Sequence, residues 1–95
     1  MCKYELALVL NPALEEEAKT EEFNKVQDLI TRFGGTIDKV DDWGKKRLAY
    51  EIQKVNEGFY YFITFEAAAA APEEIEDRVR IMESVLRYLI IRKDD

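Results

Sequence analysis

Lys45, Lys46 and Arg47 stand in a row between Trp43-Gly44 and Leu48-Ala49-Tyr50, a basic block in a chain whose formal net charge is -6. Adjacent cations kept against so acidic a background suit a phosphate-bearing partner, since local positive potential is what draws a polyanion. Other residue types exclude more than they suggest. The chain has no histidine, so triads and zinc sites of the usual kinds are not available, and catalysis would have to rest on carboxylates or lysines. Asp41-Asp42 and Glu15-Glu16-Glu17 read as a solvated turn and a helix start, because neither has the apolar enclosure that shifts a carboxyl group. Gly34-Gly35 resembles a helix stop and lacks the Lys-Ser or Lys-Thr of a phosphate loop. Cys2 is a lone thiol, which excludes an internal disulfide and reads as an incidental exposed residue. No catalytic residue, metal ligand, cofactor or small-molecule substrate is expected.

Ninety-five residues suit one domain spanning 1–95, and 47% hydrophobic with 36% charged residues is a globular composition. No apolar run approaches the roughly 20 residues that span a bilayer, and an acidic residue precedes any leader-like core. A cytosolic chain without a membrane partner is the expectation.

The elements that must position the basic block follow from periodicity. Tyr4, Leu6, Leu8 and Leu10 alternate with Glu5, Ala7 and Val9, which predicts a strand ended by Asn11-Pro12. Phe23, Val26, Ile30 and Phe33 recur at helical spacing, with Leu29 widening the stripe, and predict a helix from about Leu14 to Phe33. A strand from Thr36 runs through Gly44, a candidate bulge, to Val55. Asn56-Glu57-Gly58 reads as the hairpin turn, and Phe59 to Phe65 as a central strand with apolar groups on both faces. Ala67 to Ala71 is compatible with strand end, loop or helix. Pro72-Glu73-Glu74 predicts the second helix, with Ile75, Val79, Met82 and Leu86 as its buried stripe, and Val85 to Arg92 predicts the last strand.

The order β, α, β, β, α, β is that of an α+β split β-α-β domain, a four-stranded antiparallel sheet with two helices on one face. Period-2 alternation puts Tyr4, Leu6, Leu8, Leu10, Tyr61, Ile63 and Phe65 under the helices. Tyr60, Phe62, Ala7 and Val9 then point to the open face, where an apolar patch suggests a partner surface.

Over nearly its full length the chain resembles the bacterial small-subunit ribosomal protein six family. The resemblance rests on Lys3-Tyr4-Glu5, Leu10-Asn11-Pro12, Asp42-Trp43-Gly44, Leu48-Ala49-Tyr50, Gly58-Phe59-Tyr60 and Arg87, in that order and spacing. It implies a ferredoxin-like fold, a place in the cytoplasmic ribosome, binding to the central domain of small-subunit ribosomal RNA, and close pairing with ribosomal protein eighteen. Three departures stand out. Cys2 replaces a common Arg, so that one phosphate contact is missing or is taken over by Lys3; Glu51 replaces the usual Pro; and the chain stops at Asp95, without the long acidic tail of some members.

The expected RNA-binding residues are therefore Lys3, Lys45, Lys46, Arg47, Tyr50, Arg87, Arg92 and Lys93, with Tyr50 stacking on an unpaired base. Tyr4 could also stack, but its alternation favours the core. These cations lie on or beside strands while the helices carry the acids, so a basic sheet edge can meet RNA as the acidic helices face solvent. Two alternatives share the topology. One is a small-molecule regulatory or acylphosphatase-like module, which would need a Gly-rich anion loop with Arg and Asn beside it. The other is a free-standing RNA-recognition domain stacking bases on Tyr60 and Phe62, which would need a basic-glycine-aromatic signature on its third strand.

Overall fold

A computed structural model describes residues 2–52 and 55–93, without the side chains of 48–56. The elements are β1 (Cys2–Leu10), α1 (Glu16–Arg32), β2 (Thr36–Ile52), β3 (Val55–Ala67), α2 (Ala71–Arg80) and β4 (Val85–Arg92). They form one antiparallel sheet in the order β2-β3-β1-β4, so β1 and β3 are central and β2 and β4 are its two edges. This is the expected split β-α-β architecture.

The alternation of β1 determines what each face carries. Tyr4, Leu6 and Leu8 stand opposite Phe65, Ile63 and Tyr61 on β3, and Leu8 and Leu6 stand opposite Tyr88 and Ile90 on β4. Cross-strand partners share a face, and this one is closed by Val26 and Ile30 of α1 and Ile75 and Val79 of α2, all fully buried. Helix α1 ends as its sequence requires. Gly34 takes φ +84°, the N–H of Gly34 donates to the Thr31 carbonyl at 3.0 Å and that of Gly35 to the Ile30 carbonyl at 2.8 Å, the paired bonds of a Schellman stop. Its first turn begins at Glu16, two residues later than expected. The Asn11 side chain accepts the Ala13 N–H at 2.9 Å, and the Asn11 carbonyl accepts the Leu14 N–H at 3.2 Å, which holds that segment as a turn. In the alanine run, Ala67 ends β3 and Ala71 opens α2.

The hairpin departs from expectation. Asn56, Glu57 and Gly58 belong to β3 and are not its turn, since Lys46 pairs with Gly58 and Arg47 with Glu57. Gly58 is glycine for a different reason. A Cβ there would lie 2.4 Å from Val9 Cγ1 and 3.2 Å from the Leu10 carbonyl oxygen, so its bare backbone is what lets Val9 pack across the strand. Val9 is consequently 5% exposed, although it lies on the face without helices. Leu86 is also displaced from its expected role. It is the extra residue of a bulge in β4, between the pairs Val9–Arg87 and Leu10–Val85, and does not extend the α2 stripe.

The expected bulge at Gly44 is present. Asp42 pairs with Tyr61 and Gly44 with Tyr60, so Trp43 is the extra residue; Gly44 has φ +73°, and its N–H donates to the Asp42 carboxylate at 2.9 Å. Beyond the Leu10–Phe59 pair, β2 and β3 run on as a two-stranded ribbon that carries the basic block away from the core.

The two glycines make a testable contrast. Gly58→Ala should cost about 1–3 kcal/mol, because a buried neighbour must move. Gly44→Ala has open space and should cost only about 1–2 kcal/mol, through its left-handed backbone. Urea denaturation of both variants checks the order; a Gly58→Ala protein as stable as wild type would contradict the packing of Val9 on the bare strand.

Candidate nucleic-acid and partner interface

The face without helices carries a band of apolar side chains from edge to edge. Phe62 and Tyr60 on β3 lie opposite Ala7 and Val9 on β1, which lie opposite Leu89 and Arg87 on β4. From β2, Trp43 closes on Phe62 with ring centroids 4.6 Å apart. Ala7, Val9, Tyr60, Phe62, Arg87 and Leu89 line a shallow hollow at the middle of the band. Trp43, Leu89 and Ile91 are 56%, 51% and 42% exposed, a large apolar surface to leave wet. Those three residues were missed in the sequence. Leu89 and Ile91 are spaced for one strand face, but only the β1–β4 register shows that this face continues the one holding Ala7.

Strand alternation divides the basic block. Lys46, opposite Gly58, points to the open face. Lys45 and Arg47, opposite Phe59 and Glu57, point to the helix side, where the Lys45 ammonium lies 5.5 Å from the centre of the Phe59 ring. All three are exposed. Tyr50 lies in β2, but its side chain is outside the described residues.

The remaining cations do not join them at one edge. Arg87 projects from the opposite edge strand onto the open face, whereas Arg92 is registered with Tyr4 and so belongs to the helix side. Lys93 follows the end of β4, its N–H donating to the Lys3 carbonyl at 2.8 Å. The Lys3 ammonium lies 3.8 Å from the Asp38 carboxylate. Arg87 and Lys93 are about 20 Å apart along an extended strand, beyond the ~8 Å over which charge acts through physiological salt. The structure thus distributes the cations over three places: Lys45, Lys46 and Arg47 on the β2–β3 ribbon, Arg87 on the opposite edge strand, and Lys3, Arg92 and Lys93 at the far end of the sheet.

The open face thus combines an exposed apolar band with cations at its margins. Residues 3–92 match the family described as Ribosomal protein S6. The chain belongs to the ribosomal protein S6 family. It is 46% identical over 91 residues to the small ribosomal subunit protein bS6 of Clostridium acetobutylicum, with 96% of each chain covered. It is 44% identical over 94 residues to the protein of the same name from Clostridium botulinum strain 657, covering 99% of this chain and all of that one. The crystal structure of 30S ribosomal protein S6 from Thermotoga maritima is similar at a TM-score of 0.93 and 31% identity, covering 97% of this chain and 87% of that one. As a member of the S6 family the chain is a structural protein of the small ribosomal subunit, at work in the cytoplasm. No helix among the described residues is long and apolar enough to cross a membrane.

Where the sheet meets α1, one polar cluster ties the start of the ribbon to the core. Tyr61 stacks on Phe23 with centroids 4.3 Å apart, and Lys19 lies 4.6 Å over the Phe59 ring while pairing with Glu16 at 3.3 Å. Burial, and then the Asp42 carboxylate, push the Tyr61 phenol up from its ordinary 10.0. Burial pulls the Lys19 ammonium down, but its hydrogen bond to Glu16 and the charges of Tyr61, Glu16 and Asp42 together leave it above 10.5. Both groups are raised in the folded state, so the stability they add is complete below about pH 10 and is lost as pH rises through the folded values. Urea midpoints should therefore fall above about pH 10, and Tyr61→Phe or Lys19→Met should lessen that fall. An alkaline fall identical in all three proteins would remove the cluster from the pH response.

Proposed function

We propose that the chain is a non-catalytic assembly protein that binds the central domain of small-subunit ribosomal RNA together with ribosomal protein eighteen. The apolar band from Trp43 to Leu89, flanked by Lys46 and Arg87 on the open face, is the observation that carries this reading. The band would receive the partner protein, since its exposed aromatic and aliphatic groups gain most from leaving water. Lys46 and Arg87 would hold the RNA backbone beside it, with Lys45 and Arg47 reaching the same strand from the other side of the ribbon. Lys3, Arg92 and Lys93 would meet a second stretch of phosphates. Backbone contacts of this kind recognise shape and register more than sequence. Tyr60, Phe62 and Ala7 contribute surface, whereas Val9 forms the floor of the hollow. With RNA and protein bound to adjoining parts of one face, the affinity of each depends on the other, and linkage makes that dependence mutual.

The two roles separate by mutation. Lys46→Glu with Arg87→Glu should weaken binding to a central-domain RNA fragment and reduce the slope of log affinity against log salt by roughly 0.7–0.9 for each phosphate no longer neutralised. Phe62→Ser with Leu89→Ser should weaken association with ribosomal protein eighteen and leave that slope unchanged. Filter binding across a salt series and calorimetry measure the two effects. Wild-type behaviour of both double variants would take the open face out of the interface.

A further inference from the structure

On the opposite side of the molecule, the C-terminal half of α1 and the exit of α2 enclose a second groove. Its floor is Leu29 and Met82, its lip is Ile81, and Lys25, Arg32 and Arg78 stand around it with a single acid, Asp28. Ile81 is 75% exposed, more than Trp43, Leu89 or Ile91 on the sheet. With Lys25 matched by Glu22 at 3.3 Å, Arg32 and Arg78 against Asp28 give the groove its excess positive charge in a chain of net charge -6. Arg32 and Arg78, in the last turns of the two helices, suit their dipoles, but that does not account for an apolar floor continuous with a bare isoleucine. The two arginines are also available for binding. Arg32 has no ion-pair partner among the described residues, Arg78 lies only over the Phe33 ring at 6.0 Å, and Lys25 is held by Glu22 alone at 3.3 Å on a largely exposed side chain.

We infer that this groove docks an acidic amphipathic segment of another protein, apolar side chains on Leu29, Ile81 and Met82 and carboxylates on Lys25, Arg32 and Arg78. Charge complementarity selects the occupant. A basic segment would meet the like charges of Arg32 and Arg78, and a nucleic acid would leave the apolar strip uncovered. Lys25, Leu29 and Arg32 lie at i, i+4 and i+7 along α1, one continuous stripe suited to a helix laid in the groove. Because the groove lies on the helix layer, it can be filled while the open sheet face is engaged.

A titration of the full chain by two-dimensional NMR tests the inference. The probes are a synthetic helical peptide of about 16 residues with Leu at helical spacing and Glu on its flanks, the same peptide with Lys for Glu, and a single-stranded RNA oligonucleotide. The acidic peptide should give saturable shifts centred on Leu29, Ile81 and Met82. Its affinity should fall at least about tenfold both in Ile81→Ser and in Arg32→Glu with Arg78→Glu, with wild-type thermal unfolding in each. Absence of saturation, equal binding of the Lys peptide, the same shifts with RNA, or unaltered affinity in the variants would each overturn it. Ile81→Ser should still bind central-domain RNA and ribosomal protein eighteen like the wild type, so failure here is distinct from failure of the sheet-face assignment.

Discussion

The pairing of β1 with β3 is the constraint on which the rest of the molecule depends. Tyr4–Phe65, Leu6–Ile63 and Leu8–Tyr61 bring six apolar side chains onto one face, and the two helices have a surface to pack on only because that face is continuous. A slip of β1 by one residue would expose Leu6 and Leu8 and bury Glu5, which makes the register costly to change. The same pairing assigns Ala7, Val9, Tyr60 and Phe62 to the other face. Core and binding surface are thus two outcomes of a single alternation.

The edge strands convert that surface into a site. β2 contributes Trp43 and Lys46, β4 contributes Arg87, Leu89 and Ile91, and neither edge alone spans the whole band. The Gly44 bulge matters because it puts an extra residue, Trp43, into the strand beside Phe62. From Gly44 to Arg47 the ribbon alternates without a shift, so a consecutive run of three cations serves two sides of a strand. Much of the chain's excess of acids lies on α1 and at the start of α2, whereas the strands carry as many cations as acids, so positive charge on the sheet is local to blocks such as Lys45–Arg47.

Much of this was legible in the residues, and the exceptions have specific physical causes. Tyr4 to Leu10 has a clean period of two, and Phe23 to Phe33 a clean helical period, so the faces of β1 and α1 could be assigned without coordinates. Gly58 was misread because glycine serves turns and close approaches alike, and only Val9 lying against its backbone distinguishes the two. Leu86 continues a helical spacing from Met82, yet the chain has already left α2 there and bulges within β4. A single basic edge was expected because Lys45–Arg47 and Arg87–Lys93 are both near strands. Sheet order, a property of long-range pairing, puts those strands on opposite sides. The contribution of Leu89 and Ile91 was hidden for the same reason, since it exists only once β4 is registered against β1.

If the open sheet face receives RNA and the partner protein, it must become buried when the chain assembles with them. Trp43 is the only tryptophan and is 56% exposed on that face in the free chain. Acrylamide quenching of its fluorescence, compared before and after assembly with ribosomal protein eighteen and a central-domain RNA fragment, reads that burial directly. A blue-shifted emission and a several-fold smaller quenching constant are expected in the assembled complex. An emission maximum and quenching constant unchanged on assembly, with the complex verified by sedimentation, would contradict the assignment.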